Sequence, residues 1–134
     1  MPEPHGYDGY YEPRCVLKAT LQGGITVLVA HFGLNPDEQA SAVNTVLTHL
    51  TDTRCILMGD FNTQPDDAVL APIRARMTDA ADSFSQPLLS YPSDKPHCKI
   101  DYIFVSRDIR VVTADIPAAV ASDHRPHTAE IEVL

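Results

Sequence analysis

The sequence predicts a mixed α/β or α+β domain built around one sheet, and three observations carry that reading. Short apolar runs stop at Gly, Asp or Asn; a capped amphipathic helix lies between two of them; and the C-terminal segment alternates apolar with polar residues. The chain has 134 residues, 44% of them hydrophobic and 21% charged. That suits one folded domain rather than a disordered segment.

Residues 1–13 hold three prolines, two glycines and three tyrosines, and read as irregular. Cys15–Gln22 and Ile25–Phe32 flank a two-residue Gly23-Gly24 turn, which predicts a β-hairpin. Asn35 is a good N-cap, Pro36 suits the first helical position, and Glu38 completes a capping-box spacing. The helix that follows places Ala40, Val43, Leu47 and Leu50 on one predicted buried face. Arg54–Gly59 is a short run without a polar face, as expected of a strand covered on both sides. Val69, Leu70 and Ile73 predict a short helix over 66–76, with Pro72 inside it. Residues 78–98, with Pro87, Pro92 and Pro96, predict a long irregular excursion. Strands are expected at 99–106, at 110–113 and at 127–134, the last with Ala129, Ile131 and Val133 on one face.

Acids outnumber Lys plus Arg by 18 to 10, a formal charge of −8. Binding to nucleic acid rests on phosphate-neutralising cations, so duplex DNA is not favoured as a partner. No apolar run approaches the 18 or so residues of a membrane span. Met1–Tyr11 has no apolar leader-like stretch. Cys15, Cys55 and Cys98 are odd in number and widely spaced, which favours neither a disulfide framework nor a zinc site. A reducing, cytoplasmic setting is expected.

Polar residues cluster where the apolar runs end. In Gly59-Asp60-Phe61-Asn62, period-two alternation sends Asp60 and Asn62 to one side and Phe61 to the other. A carboxylate and an amide together can hold a divalent cation or a water. His31 closes the second run. Asp101 sits inside a predicted strand, where an unpaired charge is costly. Ser122-Asp123-His124-Arg125-Pro126 is a dense polar loop before the last strand. Each feature alone has an ordinary structural explanation: a turn, a structural histidine, an acceptor for backbone N–H groups, a loop ion pair. Their coincidence at strand ends in one chain argues for a shared site.

Four stretches, Ala-His-Phe-Gly at 30–33, Gly-Asp-Phe-Asn at 59–62, Ile-Asp-Tyr-Ile-Phe-Val-Ser at 100–106 and Ser-Asp-His-Arg-Pro at 122–126, resemble those of the endonuclease/exonuclease/phosphatase superfamily of Mg²⁺-dependent phosphoesterases. The resemblance covers about residues 14–134. It implies catalytic roles for His31, Asp60, Asn62, Asp101 and His124. Asp60 would position or deprotonate the attacking water or bind metal, and Asn62 would donate to the scissile phosphate. His124 would contact the phosphate or handle the proton, with Asp101 fixing its tautomer. Asp123 would be a metal ligand or an acceptor behind one, and His31 would hydrogen-bond the phosphate or assist the leaving group. The implied metal set is Asp60, Asn62 and Asp123, holding Mg or Mn, and the implied partner is a phosphoester substrate.

The resemblance also implies a gap. The family's domain is about twice this length, a four-layer α/β/β/α sandwich of which this chain matches the C-terminal half. The family's strand ending in a metal-binding Glu has no counterpart, since Glu3 and Glu12 do not follow apolar strands. Weak metal binding and little activity of the isolated chain are therefore expected. So is a cover for the sheet face that the missing sheet would meet: a homo-oligomer first, otherwise a partner supplying the N-terminal half or the chain's own loops. A non-catalytic half-domain is the alternative.

Overall fold

The computed structural model describes residues 11–83 and 88–134. Strands β1 (Val16–Leu21), β2 (Ile25–Ala30), β3 (Cys55–Asp60), β4 (Met77–Asp79) and β5 (Asp101–Ser106) form one sheet in the order β1-β2-β3-β5-β4. Only β2 and β3 run parallel, joined through helix α1 (Pro36–His49); the other pairings are antiparallel. Strands β6 (Ile109–Asp115) and β7 (Thr128–Val133) pair as a separate ribbon. The expectation of a single sheet is therefore corrected to two.

The β1–β2 turn is one residue longer than expected. Leu21 pairs with Ile25, so Gln22, Gly23 and Gly24 form the loop, with both glycines at positive φ. Helix α1 is capped as anticipated: the Glu38 carboxylate accepts from the Asn35 backbone N–H at 3.2 Å and from its side-chain amide at 2.6 Å. Its buried face differs by register. Ala42, Val43, Val46 and Leu50 pack inward, whereas Ala40 is exposed and Leu47 half-buried. The stripe runs through Gln39, Ala42, Val43, Val46 and Leu50, so spacing from Ala40 had placed Ala40 and Leu47 one position too late.

The helix expected over 66–76 is shorter. A 3₁₀ turn at Ala68–Leu70 leads into α2 (Ala71–Arg74), where Pro72 sits in the first turn and needs no backbone donor. The excursion is only partly irregular. It holds β4 and a 3₁₀ turn at Ala80–Ser83, and Tyr91 bridges Cys98. Residues 84–87 of that excursion, and the expectations for residues 1–10, lie outside the described residues.

The helices lie on one face of the sheet. There Leu28, Ala30 and Phe32 of the β2 region, Cys55 and Leu57 of β3, and Tyr102 and Phe104 of β5 close against Val43, Val46, Leu70 and Ile73. Phe61 stacks at 4.3 Å on Phe32 and at 5.3 Å on Tyr102, at the heart of that layer. The opposite face holds a second cluster, in which Ile56, Val105 and Ile109 are buried and Met58, Ile103, Val111, Ile131 and Val133 are partly so. The chain's own β6–β7 ribbon thus covers the β3–β5 part of this face. The expectation that oligomerisation covers the whole face is corrected accordingly, since the chain's own segments supply this part. What stays open is the β1–β2 end, where Leu17, Leu21 and Val29 are 62%, 50% and 36% exposed. No helix among the described residues is long and apolar enough to cross a membrane.

Candidate active site

Three strand ends are stitched together beyond the regular ladder. Phe32 N–H donates to the Asp60 carbonyl at 2.9 Å, and Phe61 N–H to the Ile100 carbonyl at 2.8 Å. The approach of β2 to β3 here is close. Gly59 has φ +143°, and a Cβ at that position would overlap the Ala30 carbonyl oxygen, so glycine is required on both counts. At Gly33 a Cβ would meet the Glu38 carboxylate, a side-chain rather than a backbone obstacle.

The β3–β5 register sets Asp60 directly opposite Asp101. Both side chains leave the sheet on the face away from the helices, because Tyr102 and Phe104 fill the other. Like charges opposite one another on a sheet destabilise it. Packing does not require two acids here, so the pair points to chemistry. His124 joins them: its Nδ1 lies 2.8 Å from Asp101 Oδ2 and its Nε2 lies 3.6 Å from Asp60 Oδ2. A carboxylate only accepts, so Asp101 assigns the proton to Nδ1 in the neutral ring. His31, 61% exposed on its side chain, places Nε2 3.3 Å from Asp60 Oδ2. Asn62 turns the chain at φ +48°; its N–H donates to Asp60 Oδ1 at 2.8 Å and its side-chain amide to the Phe32 carbonyl at 2.7 Å. The same atoms thus form a turn and hold Asp60 at the end of β3.

The electrostatics follow from partial burial. Desolvation is the largest influence on Asp60 and raises its pKa; Asp101 raises it further, against the hydrogen bond from Asn62 and the nearby His31 and His124. Burial lowers His124, but its hydrogen bond to Asp101 and the charges of Asp101, Asp60 and Asp123 outweigh this and leave it raised.

His31, Asp60, Asn62, Asp101, Asp123 and His124 all line one open cleft. They are not equally close. One ligand atom each from Asp60, Asp101 and His124 lies within 4.8 Å of the others, a spacing that fits one cation. Asp123 is exposed, hydrogen-bonds the Ser122 hydroxyl at 3.1 Å and stands outside that group. Two carboxylates and an imidazole suit Mn²⁺, and Mg²⁺ with waters completing the shell.

Sequence reasoning did not single out several residues that shape this cleft. Tyr91 places its ring 4.8 Å from that of His124, and Arg14 and Leu34 form part of the cleft wall. Buried Ser90 accepts the N–H groups of Ile100 and Asp101 at 3.1 and 3.3 Å, while its carbonyl accepts from Arg125 N–H at 2.8 Å. Ser93 holds the same loop, with its N–H on the Asp123 carbonyl and its own carbonyl receiving Arg125 Nε, both at 2.8 Å. The Ser90–Ser93 segment thus clips the start of β5 to the His124 loop. Its only sequence signal was the run Ser-Tyr-Pro-Ser inside an otherwise uninformative excursion.

Residues 9–124 match the sequence profile described as the Endonuclease/Exonuclease/phosphatase family. No curated protein sequence matches the chain. Among solved structures, the chain is similar to an endonuclease/exonuclease/phosphatase from Bacteroides vulgatus, at 22% identity and TM-score 0.70, over 84% of this chain and 51% of that one. A functionally unknown conserved protein from Enterococcus faecalis gives 21% identity and TM-score 0.73, over 86% and 52%. A mannosyl-6-phosphatase from Bacteroides thetaiotaomicron gives 18% identity and TM-score 0.66, over 82% and 52%. The chain therefore spans about half the length of these structures, and at such identities the likeness is one of fold.

Proposed function

The chain belongs to the endonuclease/exonuclease/phosphatase family, and from that premise we propose that its cleft takes part in divalent-cation-dependent hydrolysis of a phosphoester. The observation that carries the reading is the Asp60–His124–Asp101 group, with two acids set opposite each other across a ladder and a histidine in reach of both. Asp60 and Asp101 would hold the cation, with His124 beside them or as a third ligand. When bound, the cation supplies Lewis-acid charge neutralisation at the phosphoryl oxygens.

The chain's own residues supply the rest. Asp60, its carboxylate fixed by the Asn62 N–H, also positions the attacking water. His124, oriented by Asp101, presents its Nε2 edge to the phosphate. The Asn62 turn, held by Phe32, lies at the same phosphate, and His31, the most exposed of the set, stands on the leaving-group side. Asp123 lends negative charge from the rim. The acidic net charge of −8 favours a small phosphoester over duplex nucleic acid.

In this reading residues 14–134 form one half of the family's domain, consistent with the half-length coverage of the similar structures. The open β1–β2 surface, with Leu17, Leu21 and Val29, is then covered by a second apolar sheet, from another copy or from an N-terminal half. With that contribution lacking, cation affinity is on the order of millimolar and turnover is low. The exposed apolar surface also favours a second reading, a half-domain that folds and associates without catalysis. Hydrolysis of a bis-aryl phosphate with Mg²⁺ or Mn²⁺, run beside Asp60→Ala and His124→Ala, tests the proposal. Activity that rises with cation and falls in both variants supports it. Hydrolysis unaffected by either substitution defeats it.

A further inference from the structure

The loop that carries His124 is anchored on both sides of that residue by one segment. On one side, Ser93 N–H donates to the Asp123 carbonyl at 2.8 Å and the Ser93 hydroxyl donates to the Ser122 carbonyl. On the other, Arg125 gives its Nε to the Ser93 carbonyl and its N–H to the Ser90 carbonyl, both at 2.8 Å. Ser90 also reaches Asp101, the partner of His124. Its hydroxyl oxygen accepts from Ile100 N–H at 3.1 Å and from Asp101 N–H at 3.3 Å, as two lone pairs allow. The β4 ladder on β5 ends at Phe104, short of these groups, and Ser90 serves them instead. The residue is fully buried, so solvent does not compete for its oxygen.

We infer that Ser90 is a positioning residue for the Asp101–His124 pair. Its hydroxyl fixes the backbone of residue 101 and its carbonyl fixes that of residue 125. Together they set Asp101 Oδ2 2.8 Å from His124 Nδ1 and turn Nε2 toward the phosphate. For its effect on turnover the inference rests on the phosphoester reading above. Removing the hydroxyl leaves two backbone donors without their acceptor and loosens the start of β5. A carboxylate drawn out of line no longer dictates which ring nitrogen carries the proton. Displacing a positioned group by about 1 Å can cost about 10²-fold in rate, and a shift relayed through backbone is expected to cost about tenfold.

The test is two-bond proton–nitrogen NMR of the histidine rings in the full chain at alkaline pH, which reports the tautomer of the neutral imidazole. His124 should be in the Nδ1–H form in the parent and in Ser90→Thr, which keeps the hydroxyl. In Ser90→Ala it should become a mixture of both forms, while the ring signals of Phe61 and Phe104 in the helix-side core stay in place. Ser90→Cys, close to serine in size but a weak acceptor, is read in the same way if the alanine variant does not fold. With a bis-aryl phosphate and Mn²⁺, Ser90→Ala should lower kcat about tenfold and leave KM within about twofold. An unchanged His124 tautomer in the folded alanine or cysteine variant overturns the inference, and so does a mixture in Ser90→Thr. Hydrolysis indifferent to His124→Ala overturns the phosphoester reading, and the tautomer then still decides what Ser90 holds.

Discussion

The two faces of the main sheet are built to different standards. On the helix side Leu28, Leu57, Leu70 and Ile73 are fully enclosed, and four aromatic rings from β2, β3 and β5 and the segments that extend them stack in one layer. On the other side two carboxylates face each other across a ladder, three apolar residues of β1 and β2 stand open, and the cover is a two-stranded ribbon. The same strands supply both faces, alternating residue by residue. Stability is concentrated on one face, which leaves the other free to carry a repulsive acid pair that would be hard to hold at the edge of a weaker core.

The sharpest way to break this contrast is Phe61→Ala. It removes a fully buried ring from the aromatic layer and should cost about 3–5 kcal/mol of folding stability in denaturant titration. A loss below about 1 kcal/mol would mean the helix face is not the stabilising one. Asp60→Asn, one residue away on the other face, should do the reverse. Asn keeps an oxygen for the Asn62 N–H and removes the repulsion with Asp101, so stability at pH 7 should rise by about 0.5–1 kcal/mol. The sign follows from linkage. Asp60 has a raised pKa in the fold, so in the parent chain its contribution is full below the unfolded value near 3.8 and is lost as pH rises through the folded one. Asp60→Asn should flatten that acid-side slope.

A finer contrast lies in two histidines near the sheet's open side. His124 is raised by Asp101 and the other acids despite its burial, while burial, with Lys99 nearby, lowers His127. Ring-proton titration by NMR should place His124 above the ordinary value of 6.5 and His127 below it. The consequences are opposite. His124 adds stability below about 6.5 that fades as pH rises through its folded pKa; His127 favours the fold above 6.5 and withdraws support as pH falls below it. His127→Leu should therefore lessen the loss of stability on the acid side of pH 6.5. The smallest effect on folding belongs to the exposed end of the face. Leu17→Lys with Val29→Glu, an opposite-charge pair across the β1–β2 ladder, should change monomer stability by within about 0.5 kcal/mol yet shift any self-association seen by light scattering toward monomer.

Much of the site could be read from sequence because the motifs coincide with strand ends, where alternation fixes which way a side chain points. Gly59, Asp60 and Phe61 each announce a face. The capped start of α1 was equally legible, since Asn35, Pro36 and Glu38 act over three residues. What was missed depends on contacts distant in sequence. Ser90 acts through backbone groups at 100, 101 and 125, and no local pattern marks it. Strand β4, three residues long, exists because β5 offers an edge for Met77–Asp79 to pair with. The cover over the second face was hidden for the same reason: β6 and β7 read as strands, but nothing in their alternation says against which surface their apolar sides fold.

The central claim is that Asp60 and Asp101, held opposite each other, make a cation site on the open face. Titration with Mn²⁺, followed by paramagnetic broadening of histidine ring signals, tests it most directly. The account predicts that His124 and His31 broaden first, that His49 at the end of α1 stays sharp, and that Asp60→Asn abolishes the difference. Equal broadening of all three, or selective broadening that survives Asp60→Asn, would contradict it.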